Sequence, residues 1–150
     1  MLEAFLGLLS NQILQAAMLS WLIAQVLKVI ITWIQEGFFS LERMMGAGGM
    51  PSSHSAFVIA LAVGVGERSG WDTPITAITV VFSLIVMYDA AGVRRAAGKQ
   101  ARALNRIINE LAAGRQVKEE RLKELLGHTP VEVFAGALLG LGVALSWLRR

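Results

Sequence analysis

Four apolar stretches of roughly membrane-crossing length decide what this 150-residue chain can fold into. A hydrocarbon core of ~30 Å takes about 20 mostly apolar residues in a helix, because lipid offers no partner to backbone N–H and C=O groups. The first stretch runs from Ile13 to Ile34 and carries Gln25 and Lys28 in its second half. The second, Ser53 to Gly66, covers only about 21 Å at ~1.5 Å per residue. It is expected to be short or re-entrant, with the Gly-rich loop before it dipping into a protein-lined cavity. The third, Pro74 to Ala91, is rich in Val and Ile and has Asp89 near its end. The fourth, Pro130 to Leu148, is rich in Gly, Ala and Leu. Leu2 to Leu9 is too short to span and reads as an interfacial helix or turn. The chain is 55% hydrophobic and 17% charged, against about 45–50% and about 25% in soluble domains. The expected fold is all-α: a membrane helical bundle of about four membrane helices in a single domain over 1–150. With no Cys, disulfide scaffolds, thiolate zinc sites and thiol nucleophiles are excluded.

Between the third and fourth stretches the composition changes. Residues 92–128 hold nine basic side chains: Arg94, Arg95, Lys99, Arg102, Arg106, Arg115, Lys118, Arg121 and Lys123. Ala101, Leu104, Ile107, Ile108 and Leu111 recur there at helical spacing, which predicts an amphipathic helix with its apolar stripe against protein or a lipid surface. Gly114 is expected to end it, and Val117 to Leu126 reads as a second short helix. The two form a basic helical insertion over about 95–126. With four spans, loops 35–52 and 92–129 share one side, and the Lys/Arg bias makes that side cytoplasmic. Leaflet charge accounts for basic residues placed next to spans, and no nucleic-acid motif is present.

Three short motifs carry candidate chemistry. Gly46-Ala47-Gly48-Gly49-Met50-Pro51-Ser52-Ser53-His54-Ser55 leads a Gly-rich loop into an apolar helix. N–H groups at a helix start bind anions, and Gly lets the backbone approach closely. Ser52 or Ser53 is the expected N-cap, and His54 in the first turn can give or take a proton. Tyr88-Asp89-Ala90-Ala91-Gly92-Val93-Arg94-Arg95 places a carboxylate close to membrane depth, which is costly unless paired. Arg94 or Arg95 is the expected partner of Asp89, and a guanidinium fork also suits phosphate. In Gly127-His128-Thr129-Pro130-Val131-Glu132, Thr129 and Glu132 form a capping-box pattern with Pro130 at the first helical position. Glu132 also stands four residues from His128, from where it can orient the imidazole as a nucleophile or base. Both His residues of the chain fall at starts of membrane helices on the same predicted side, which favours one shared anion site.

These motifs resemble the type 2 phosphatidic acid phosphatase and vanadium haloperoxidase superfamily. The whole chain resembles, more closely, a small divergent bacterial and plastid membrane branch of it. The superfamily's motifs read K-x(6)-R-P, P-S-G-H and S-R-x(5)-H-x(3)-D. Pro51-Ser52-Ser53-His54 is similar to the second, with Ser53 for Gly. His128 followed by Glu132 is similar to the end of the third, with Glu for Asp, and Arg94 or Arg95 corresponds to its Arg. Thirty-two residues separate Arg95 from His128 where the pattern has five, so the basic segment interrupts this motif. Lys28 matches the first motif, but Gln35 stands where Arg-Pro belongs, and Arg43 is a candidate to replace it in space.

The resemblance implies a membrane phosphatase acting on a lipid phosphate or isoprenoid diphosphate. His128 would be the nucleophile, Glu132 its orienting carboxylate and His54 the general acid. Arg94, Arg95, Lys28, Arg43, Gly48, Gly49, Ser52 and Ser53 would hold the phosphate, with no metal or cofactor. An alternative is a non-enzymatic subunit of assembly or transport that binds anionic lipid at a degenerate phosphate site. A third reading takes Asp89, Glu132, His54 and His128 as ligands of Mg²⁺. Localisation in a bacterial cytoplasmic membrane, or a plastid membrane, follows from the branch. Gly64, Gly66, Gly136, Gly140 and Gly142 permit close helix contact within or between protomers, and a homodimer or larger assembly is expected.

Overall fold

The computed structural model describes residues 1–37, 49–112 and 128–149. Among these residues the regular structure is helical: α1 (Leu2–Leu9), α2 (Gln12–Glu36), α3 (Ser53–Ser69), α4 (Pro74–Ala91), α5 (Val93–Ala112) and α6 (Pro130–Leu148). The protein is a membrane helical bundle. Among the described residues, three helical segments are long and apolar enough to cross a bilayer: Gln12–Gln35, Pro74–Ala91 and Pro130–Leu148. The expected helix from Val117 to Leu126, the turn at Gly114, Arg43 and Gly48 lie outside the described residues.

Local chemistry sets the helix ends. Asn11 caps α2 by accepting from the N–H groups of Ile13 and Leu14 at 3.0 and 3.1 Å, which satisfies donors that have no partner inside the helix. Gly37 closes the helix with φ +75°, a left-handed conformation that costs Gly little. Pro74 and Pro130 begin α4 and α6, where a missing N–H costs nothing.

The bundle is built around α3, which packs against α2, α4 and α6. Helix α2 also packs against α6, α5 touches only α4 among the described helices, and α1 touches only α2. The second apolar stretch is therefore the central helix of the described bundle. It runs three residues past Gly66 to Ser69, covers about 26 Å at ~1.5 Å per residue, and buries nine of its seventeen residues.

Small side chains make this enclosure possible. A Cβ at Gly136 would fall on the Ser52 carbonyl oxygen, and one at Gly140 on that of Ala56. A Cβ at Gly64 would lie 2.8 Å from Ile13 Cγ2. These glycines thus serve contacts within one chain, whereas Gly142 faces open space. Hydroxyls bridge the same helices: Ser20 donates to the Ala56 carbonyl at 3.1 Å, and Ser83 to that of Val58 at 2.9 Å. Close backbone approach and interhelical hydrogen bonds hold helices together where lipid competes equally for apolar side chains.

Candidate functional site

The first turns of α3 and α6 meet at one end of the bundle. Ser52 is the N-cap of α3: its Oγ accepts from the Ser55 N–H at 3.4 Å and from the Ser55 hydroxyl at 3.1 Å. Its own N–H donates to the Glu132 carbonyl at 2.9 Å, which pins the loop before α3 onto the first turn of α6. Ser52, Ser53 and Ser55 are all buried. The absence of a side chain at Gly136 permits this approach.

Thr129 caps α6 through the full capping box expected from the sequence. Its hydroxyl accepts from the Glu132 N–H at 3.3 Å, and Glu132 Oε2 accepts from the Thr129 N–H at 3.1 Å. The same Oε2 lies 3.0 Å from His128 Nδ1. One carboxylate oxygen therefore caps the helix and orients the imidazole. A carboxylate can only accept, so Nδ1 carries the proton in the neutral ring and its chemistry is directed to Nε2. The His128 backbone is fixed as well, its N–H donating to the Ala90 carbonyl at 3.0 Å. The imidazole is 2% exposed.

His54, in the first turn of α3, meets His128 with ring centroids 6.1 Å apart and the rings inclined at 65°. The two histidines of the chain are thus brought to one place. Lys28 joins them from α2. It is 2% exposed, and its stem passes Gly49, where a Cβ would stand 3.2 Å from Lys28 Cγ. Gly49 has φ +91°, so this position demands Gly for its backbone and for the Lys28 stem alike. Glu132 is a charged group to which the Lys28 side chain is electrostatically coupled, so its amine belongs to the surroundings of the His128–Glu132 pair.

The remaining predicted residues are only partly located. Asp89 is half-buried at the end of α4, next to the Ala90 carbonyl that holds His128. Arg94 and Arg95 fall in the first turn of α5. Among the described residues, no three His, Asp or Glu side chains form a group able to hold a metal ion.

One feature of the site was not read from the sequence. A cavity of about 310 Å³ adjoins His54 and is lined by Met18, Trp21, Phe57 and Val58. Phe57 and Val58 follow His54 by three and four residues, the spacing of one helix face. That periodicity could have pointed to them. The pairing with Met18 and Trp21 of α2 could not have been found without the packing.

The architecture and paired motifs agree with comparison to known proteins. Residues 9–143 match the family model described as the Divergent PAP2 family. The chain belongs to that family. It is 42% identical to the uncharacterized membrane protein YuiD of Bacillus subtilis (strain 168), in a 145-residue alignment covering 89% of this chain and 92% of that protein. No solved structure matches it. Family membership and the apolar helices make this a membrane protein with a PAP2-related ancestry. The matched region contains the Gly49–Ser55 loop, the α4–α5 junction and the His128–Glu132 turn.

Proposed function

We propose that the protein is a membrane-embedded phosphatase that hydrolyses a lipid phosphate or isoprenoid diphosphate through a phosphohistidine. The observation that carries this reading is the buried His128 imidazole, held at Nδ1 by Glu132 and set against His54. In the first step His128 Nε2 attacks phosphorus, the P–O bond to the leaving group breaks, and protonated His54 gives its proton to the departing oxygen. Glu132 stabilises the cationic phosphoimidazole, as the carboxylate does in a hydrolytic triad. In the second step His54 takes a proton from water, the water oxygen attacks phosphorus, and the P–N bond breaks to release phosphate and restore His128. Lys28 and the Gly49–Ser53 segment would balance the equatorial oxygens, since phosphoryl transfer depends on positioning and charge stabilisation. The route as drawn uses no metal or cofactor.

The geometry adds a requirement. Rings 6.1 Å apart are too close to admit a phosphoryl group in line between them. Substrate entry would move the His54 side chain, which is exposed at the start of α3. The apolar cavity beside His54 would take the first part of a hydrocarbon chain. On the Lys/Arg bias the site faces the cytoplasm.

The test is phosphate release by detergent-purified protein from phosphatidic acid, phosphatidylglycerophosphate and isoprenoid diphosphates, each with and without chelator. Chelator-resistant release that falls to background in both His128→Ala and His54→Ala is the expected result. Full activity in His128→Ala would remove the nucleophile assignment. A second reading, a non-enzymatic binder of anionic lipid, is favoured by Gln35 standing where the phosphatase pattern has Arg-Pro. It predicts protection against thermal unfolding by the same lipids with no phosphate released.

A further inference from the structure

Helix α5 has three faces, and the one that packs is not the apolar one. At 100° per residue, Gly98, Ala101, Asn105 and Ile108 share one side. Gly98 and Asn105 are buried there, with Ala101 and Ile108 half-buried. Leu104, Ile107 and Leu111 form a second side, and they are 48%, 52% and 70% exposed. Lys99, Arg102 and Arg106 form a third, also exposed, roughly opposite the apolar one. An exposed apolar face backed by a basic face is the arrangement of a helix lying in a membrane interface, its apolar side at the acyl boundary and its cations among the headgroups.

Position in the chain supports the same occupant. Helix α5 starts two residues after α4 ends, with only Gly92 between them, and α4 is one of the three segments able to cross the bilayer. The helix therefore emerges at the bilayer surface and has no other described helix to cover its apolar side. Charge complementarity then selects the surface, because basic residues beside a span are attracted to anionic lipid.

We propose that α5 docks in the plane of the anionic leaflet, with Leu104, Ile107 and Leu111 in the acyl boundary and Lys99 and Arg102 on phospholipid phosphates. This surface is independent of the phosphatase reading and stands or falls without it. Docking holds the α4–α5 junction at headgroup depth, and through the Ala90 carbonyl it sets the depth of His128.

The absence of Cys makes the test direct. Single Cys variants of the full chain, Ile107→Cys and Asn109→Cys, are labelled with an environment-sensitive fluorophore. They are reconstituted into phosphatidylcholine vesicles with and without phosphatidylglycerol. Lipid brominated near the top of its chains and aqueous iodide serve as quenchers. With phosphatidylglycerol, the probe at 107 is expected to be quenched by the brominated lipid and shielded from iodide, and the probe at 109 the reverse. Lys99→Gln with Arg102→Gln is expected to lower the docked fraction severalfold, toward that in pure phosphatidylcholine. Iodide quenching at 107 equal to that at 109 would overturn the proposal. So would shielding of 107 from both quenchers, the sign of a protein covering such as a second copy. Docking indifferent to phosphatidylglycerol and to the two Gln substitutions would overturn the choice of an anionic surface.

Discussion

Helices α3 and α4 are adjacent in sequence, packed together, similar in length and both apolar, yet they play opposite parts. Nine of seventeen residues of α3 are buried, and these are Ser, Ala, Val and Gly. In α4 the buried residues are Thr76, Thr79, Ser83 and Ala90, while Ile75, Ile78, Val81, Phe82, Leu84 and Ile85 are more than half exposed or close to it. The interior is chosen by size and hydrogen bonding, and the large apolar side chains are left outside. In water that order would be unstable. In a bilayer it is expected, because lipid solvates Ile and Leu as well as a protein core does, and helix association depends on close packing and polar bridges.

This contrast predicts where substitution will hurt. The largest effect is expected at Gly140→Val, whose added carbons meet the Ala56 backbone. Overpacking against a carbonyl that cannot yield should cost about 3 kcal/mol or more, read as a large fall in thermal unfolding temperature in detergent. A native-like unfolding temperature would break the picture of α3 as the enclosed helix. Next is Glu132→Ala, which removes the capping box at a cost of about 1 kcal/mol and frees the imidazole to turn. Turnover, if present, should then fall far more than stability, while Glu132→Gln should retain most of the cap and still lose turnover. Ser83→Ala deletes the bridge from α4 to the Val58 carbonyl and should cost about 0.6 kcal/mol, the mean for such bonds in a membrane bundle. Smallest is Ile85→Ala on the outer face of α4, expected within about 0.5 kcal/mol of the parent. A loss comparable to that at Gly140 would show that a second protein surface, rather than lipid, covers α4.

The parts of the fold legible in the sequence were those set by local chemistry. The starts of α4 and α6 follow from Pro74 and Pro130, and the Thr129–Glu132 cap from its spacing. The His128–Glu132 contact was legible for the same reason, since four residues along a helix start bring side chains together. The extent of α3 was not. Glu67 and Arg68 look like the beginning of a loop, but they continue the helix at its exposed end, where their charges carry no burial cost. The role of α5 was only half legible. Its apolar period is plain, but the buried face carries Gly98 and Asn105, which no hydrophobic pattern marks. The convergence of His54, His128 and Lys28 depends on how three helices pack. Sequence could place their helix ends on one side of a membrane, and the glycines at 49 and 136 leave room for the close approach.

The double duty of Glu132 has a consequence for how lineages of such chains diverge. The carboxylate closes the start of α6 whether or not phosphate is ever turned over, so a descendant that abandons chemistry still gains by keeping it. The tie of residue 128 to Ala90, by contrast, runs through the main chain, which any residue but proline supplies. On the phosphohistidine reading, exchange at position 128 among relatives would mark loss of turnover, whereas an intact acid four residues later would say only that the helix still begins there.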